Sequence, residues 1–235
     1  MTPTPRERAR AQTMEDITRI GREHLVVHGA AALSLRAIAR DLGLVSSAVY
    51  RYVKSRDELL TLLVVDAYTE LGDEVDAAVA EVAPSDHAGK FLVLARAVRR
   101  WAVREPARYA LLFGSPVPGY HAPAEQTTGP GTRVIRALVR IYDDAYRANG
   151  RGGTLPGIMP GVPAEGMLPA DLARIREEMG LAADDDLIVR GTLVWASLFG
   201  IVSFEVFGQY GEGTFSDPEQ LFEQHLAVLR SVVGL

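Results

Sequence analysis

Apolar residues recur at three- and four-residue intervals along most of the chain, and alternating apolar and polar runs are scarce. That periodicity predicts an all-α protein. From Glu15 to His28, the positions Ile17, Ile20, Leu25 and Val27 predict a first helix, stopped by Gly29. Residues 1–12, with Arg6, Arg8 and Arg10 and no apolar stripe, read as a flexible basic arm. Ser34 stands where it can cap a short second helix. Leu35, Ile38, Ala39 and Leu42 share one face of that helix, and Gly43 ends it. The run SSAVYRYV, residues 46–53, predicts a third short helix. Ser55 caps a fourth, which runs to about Val82, before Pro84. Asp57 and Glu58 lie in its first turn, where the helix dipole favours acids.

Longer helices follow. One is predicted over 86–104, a short one over ARYALLFG after Pro106, and another over 132–148. Residues 150–169 hold six Gly and four Pro and read as an irregular loop. PADLARIREEMG predicts a short amphipathic helix between Pro169 and Gly180. The last two helices are expected over 185–209, apolar nearly all round, and over 217–233, opened by Asp217-Pro218.

Composition narrows the function. The 235 residues are 48% hydrophobic and 23% charged, which suits a globular chain that can bury a core. There is no cysteine, hence no disulfide and no thiolate metal site. The N-terminal MTPTPRERARAQ lacks the apolar segment of a secretory signal. The most apolar run, between Arg190 and Glu205, has 14 uncharged residues, short for a membrane span. A cytoplasmic protein is expected. The net charge of −5 is uneven: residues 1–60 carry 10 Lys or Arg against 7 Asp or Glu, and the remainder 15 against 23. An acidic chain with a basic N-terminal end is compatible with nucleic-acid binding through that end.

Two short helices around a Gly turn, the second bearing polar and basic residues, match a helix-turn-helix pattern. The apolar positions from Leu35 to Val53 would build a three-helix core with Ile17 and Ile20. Ser46, Ser47, Tyr50, Arg51 and Lys54 then face outward. Lys and Arg neutralise phosphate, a Tyr hydroxyl donates to it, and small Ser residues let a helix approach base edges. Arg36 and Ser46 are the expected base-edge contacts, and Ser34, Tyr52 and Arg56 complete the expected DNA-binding set. Spacing alone also fits an ordinary helical hairpin with solvated charges.

The residues go beyond spacing. The segment 33-LSLRAIARDLGLVSSAVYRYVKSRDELL-60 resembles the N-terminal domain of TetR-family transcriptional repressors. Ser34, the Ile38-Ala39 pair, Gly43, Tyr50-Arg51-Tyr52-Val53 and Ser55-Arg56-Asp57-Glu58-Leu59 carry the likeness, which covers about 15–82. Val45 stands where that family has a capping Ser or Thr, so Ser46 is expected to cap, and Val53 replaces an aromatic. The segments 108-RYALLFGSPVPGY-120 and 195-WASLFG-200 resemble a subset of the family whose members carry Trp-x-x-x-His-Gly, with Phe199 in the His position.

The resemblance implies a DNA-binding domain over 1–55 and a ligand-binding and dimerisation domain over 56–235, with 56–82 as a connecting helix and lever. Trp101, Tyr109, Phe113, Trp195 and Phe199 are expected to line a ligand pocket, with Tyr120 and His121 adding polar contacts, although each aromatic is equally at home in a core. Val194, Leu198, Val202, Leu221, Leu226 and Leu229 are expected at a homodimer interface built from the last two helices.

Other chemistry reads weakly. His24 and His28 sit one turn apart but have no third ligand nearby. Asp184-Asp185-Asp186 precedes a helix, so capping explains it better than a metal. The run 129-GPGT-132 lacks the Lys of a phosphate loop. No Ser/His/Asp arrangement is apparent, and no cofactor or metal is expected. The expected function is a ligand-responsive regulator, most often a repressor, released from a palindromic operator by a small apolar molecule. The alternatives are an activator or architectural DNA-binding protein without a ligand, and an all-α enzyme.

Overall fold

A computed structural model describes residues 4–148 and 165–235. The regular elements among them are all helical: α1 (Pro5–His28), a 3-10 turn (Ala30–Ala32), α2 (Leu35–Asp41), α3 (Ser46–Val49), α4 (Arg56–Ala80), α5 (His87–Arg104), α6 (Pro106–Phe113), α7 (Ala124–Gly131), α8 (Arg133–Ala148), α9 (Leu168–Met179), α10 (Asp185–Val206) and α11 (Pro218–Val232). Most of the expected loop at 150–169 lies outside the described residues.

The expected basic arm is instead the start of α1. Thr4 Oγ1 accepts from the Glu7 amide at 3.3 Å, the Glu7 carboxylate accepts from the Thr4 amide at 2.7 Å, and Pro5 occupies the first turn. This reciprocal cap supplies partners at a helix start that has no apolar face. α7 was not foreseen, because AEQTTGPG lacks a stripe and contains Gly129-Pro130. It closes on Tyr68, whose ring would lie 3.3 Å from a Cβ at Gly131.

The chain divides into two compact units, Met1–Glu70 with Arg104–Gly131, and Leu71–Val103 with Thr132–Leu235. This differs from a boundary at residue 55, since α6 and α7 group with the N-terminal helices. The reason is electrostatic as well as apolar. Arg108 on α6, almost fully buried, donates to Glu70 at 2.8 Å and Asp66 at 2.9 Å on α4, while Arg22 on α1 grips Asp66 from the other side. Ala107, Leu111, Val117 and Tyr120 add apolar contacts to the core of Ile17, Ile38, Val49, Leu59 and Leu63.

In the second unit, Phe91, Leu94, Val98 and Trp101 of α5 are buried, as are Leu138 and Tyr142 of α8 and Phe222 and Leu226 of α11. Two-pronged ion pairs tie α5 to its neighbours: Arg99 to Glu205 of α10 at 2.8 and 2.7 Å, and Arg96 to Glu223 of α11 at 2.7 and 2.6 Å. The Arg96 guanidinium holds the Glu223 carboxyl below the usual carboxylate range. Asp143, buried on α8, accepts from the Ala182 and Ala183 amides and fixes the turn into α10. Asp184 caps α10 through the Leu187 amide at 2.8 Å, Asp185 pairs with Arg176, and Asp186 with Arg190.

α10, at 22 residues, is long and apolar enough to cross a membrane by length and composition, more than the uncharged run suggested. Here it packs against α8, α9 and α11.

Candidate nucleic-acid interface

The first unit holds the helix-turn-helix. Gly29 ends α1 with φ +71°, and Gly43 makes the turn after α2 with φ +67°, a conformation that side chains with a Cβ rarely adopt. The Leu44 amide closes that turn on Ala39 O at 2.8 Å. α3 is one turn long, and hydrogen bonds to Ala48 and Val49 carry the coil on to Val53. Val49 and Val53 point into the core with essentially no exposure. His24, buried on α1, bonds Asp41 at the end of α2 at 2.6 Å and holds that carboxyl below its usual range.

This geometry sorts the expected DNA contacts. Arg36, Ser47, Tyr50, Arg51 and Lys54 are exposed, and Ser46 is half-buried. Tyr52 is different: it packs half-buried against the domain core, with the Arg10 guanidinium 5.3 Å above its ring. Arg56 is different too. It donates to Ala30 O at 3.0 Å and Ala31 O at 3.1 Å, filling the carbonyls of the 3-10 turn from the start of α4. Ser34 occupies the N-cap position of α2 but makes no side-chain cap bond. Ser46 does not cap α3: Val45 does so by backbone position only, with its side chain in solvent. Ser55 caps α4 as expected, accepting from the Glu58 amide at 3.1 Å.

The expected ligand-lining residues fall in both units. In the first, Tyr109 is fully buried and stacks on Phe113 with ring centres 5.0 Å apart. Tyr120 shares a hydrogen bond with Thr61 at 3.1 Å and packs against the helix-turn-helix core, while His121 is exposed. In the second, Trp101 is fully buried, and Trp195 and Phe199 pair at 4.2 Å.

The expected dimer residues need a correction. Val194, Leu198, Val202 and Leu226 have no exposure within the single chain, and Leu229 has little. Only Leu221 is partly accessible. The side chains of Val194, Leu198, Val202 and Leu226 already pack inside the unit and offer no surface to a second copy, whereas Leu229 lines a groove between α10 and α11. The apolar groups that α10 and α11 leave in solvent are Val189, Leu193, Phe204 and Val228. Periodicity on a helix apolar all round could not separate these two faces.

Residues 91–229 match the family model described as the tetracyclin repressor-like C-terminal domain. The chain is 47% identical over 229 residues to the HTH-type transcriptional regulators Rv1816 of Mycobacterium tuberculosis and Mb1846 of Mycobacterium bovis, covering 97% of this chain and 95% of each relative. Its fold superimposes on the crystal structure of SCO4313, provisionally a regulatory protein, with a TM-score of 0.75 and 36% identity over 96% of this chain and 98% of that one. These relatives are regulators and not enzymes. A helix-turn-helix with an exposed basic face, a matched C-terminal domain and near full-length relatives lead to one conclusion: the chain belongs to the TetR family of transcriptional regulators.

Proposed function

We propose that this regulator acts in the cytoplasm as a homodimeric repressor that leaves a palindromic operator when a small, uncharged, mostly apolar molecule binds. The observation that carries the DNA-binding part is the surface around α3. Val49 and Val53 lock the coil to the core and leave Ser47, Tyr50, Arg51 and Lys54 in solvent together. Lys54 and the Tyr50 hydroxyl address backbone phosphate, and Arg36 and Ser46 address base edges. Tyr52 and Arg56 shape this surface from behind.

Dimerisation through α10 and α11 is supported by their remaining apolar face. A groove of about 500 Å³ runs there, lined by Gly200, Ile201, Phe204, Tyr210, His225 and Val228. Leu193 and Val228 are more than half exposed beside it. A second copy that covers this face would build a four-helix bundle and set two recognition surfaces about one DNA turn, 34–36 Å, apart. An effector that prefers another separation then lowers DNA affinity by linkage. An effector that binds the DNA-free form about 100-fold more tightly supplies about 2.7 kcal/mol of coupling per site.

The test is selection from random duplexes followed by anisotropy titration of the recovered site. A palindromic consensus bound by a dimer, and released by at least one uncharged small molecule, is expected. A non-palindromic site bound by one chain would refute the dimeric reading.

A further inference from the structure

Among the described residues, five partly or fully buried side chains carry a nitrogen or oxygen with no protein partner: Arg56, His87, Arg108, Tyr142 and His225. Arg56 and Arg108 are held through their other nitrogens. His225 lines the α10–α11 groove, and His87 opens α5. Tyr142 differs. Its side chain is buried in the second unit, and its residue is only 3% exposed. The ring packs beside Phe91 of α5, with centres 6.4 Å apart, and against the backbone of α10 at Gly191.

Gly191 sharpens the point. It lies inside α10, where glycine weakens a helix. A Cβ there would stand 3.2 Å from Cδ2 and Cε2 of Tyr142, so α10 gives up a side chain to admit this ring. Packing alone would be satisfied by Phe. The hydroxyl adds an unpaired polar group to a closed site, which destabilises the folded chain. Burial also pushes its pKa far up, so it keeps its proton and remains a donor. Tyr120, otherwise suited to orient a ligand, is less available, since it already bonds Thr61.

We propose that Tyr142 is the hydrogen-bond donor of the effector site and takes the carbonyl oxygen of an uncharged, otherwise apolar molecule lodged between α5, α8 and α10. This rests on the ligand-responsive reading above. The neighbouring Asp143 is a buried carboxylate already engaged with two amides and Arg147, and Arg190 is paired with Asp186. Burial alone shifts the Tyr142 hydroxyl, so among the described residues no charged group acts on it, and an ionic ligand would lose its hydration there without a counter-ion.

The experiment compares butyrophenone with butylbenzene, which differ by one carbonyl, on the full-length protein and on Tyr142→Phe. Calorimetry measures binding and a thermal melt measures the ligand-free proteins. The wild type is expected to bind the ketone about tenfold more tightly than the hydrocarbon. Tyr142→Phe should bind both alike, with hydrocarbon affinity unchanged, and should melt no lower than the wild type without ligand. A ketone preference that survives in Tyr142→Phe overturns the proposal. So does a ketone complex in which Tyr142 bonds only a buried water. Failure of both probes, while another small molecule releases DNA, sinks the Tyr142 assignment and spares the ligand-responsive reading. If no molecule of a broad panel releases DNA, that reading falls, and this proposal with it.

Discussion

At the scale of single residues, two cations only two positions apart in the sequence have different surroundings. Lys54 stands in solvent, whereas Arg56 fills two backbone carbonyls of its own domain. Lys54→Ala should weaken binding to every duplex and lower the slope of log affinity against log salt by about 0.9. Tyr50→Phe should weaken binding similarly through one lost phosphate bond. Arg56→Ala should instead destabilise the domain by about 1.5–3 kcal/mol, since hydrogen bonds from a charged donor are lost. Its salt slope in anisotropy titrations at several ionic strengths should stay at the wild-type value; a slope reduced like that of Lys54→Ala would return Arg56 to the phosphate contacts. Val45→Ser offers a complementary gain: a side-chain acceptor at the N-cap of α3 should add about 1 kcal/mol in urea unfolding.

At the scale of elements, charged pairs decide which helices belong together. α6 joins the N-terminal helices because Arg108, nearly excluded from water, lies between Asp66 and Glu70 of α4. Arg108→Ala removes a buried cation from two carboxylates that Arg22 still partners, and should cost about 1.5–3 kcal/mol in chemical denaturation. A loss below 1 kcal/mol would mean that the carboxylates relax into solvent. The link between α1 and α2 is pH-dependent. His24 holds the Asp41 carboxyl below its usual range, so Asp41 contributes stability above its unfolded pKa and loses it as pH falls through the lower folded value. His24→Gln should raise the Asp41 titration midpoint, read by carboxyl NMR shifts, towards the ordinary value of about 3.9.

At the scale of the whole molecule, the last two helices serve two surfaces, one inside the subunit and one outside. Val202 belongs to the inside, so Val202→Glu should unfold the second unit at any protein concentration, through an unpaired buried charge. Leu193→Glu and Val228→Glu change exposed positions and should leave the monomer folded while sedimentation moves from dimer to monomer. Operator affinity should then fall steeply, because two half-sites no longer bind as one unit. Unchanged sedimentation in both variants would place the dimer interface elsewhere.

The sequence alone determined what depends on near neighbours. Gly29 and Gly43 mark helix ends, Ser55 and Asp184 cap α4 and α10, and the spacing from Leu35 to Val53 gives the helix-turn-helix core. The Thr4–Glu7 capping box is just as local, but the sequence reading of residues 1–12 as a flexible arm missed it, because the helix that it begins lacks an apolar stripe there. Tertiary structure decided the rest. Periodicity tells that α10 is apolar on every side, but only packing tells that Val202 faces inward and Leu193 outward. No local pattern links Arg108 to Asp66 and Glu70, or Arg56 to the carbonyls of Ala30 and Ala31. Nor does one reveal that the Tyr142 hydroxyl is buried without a protein partner. Caps and turns are formed by residues within a few positions of each other, whereas burial and ion pairing between helices depend on residues far apart in the chain, whose encounter only the folded structure specifies.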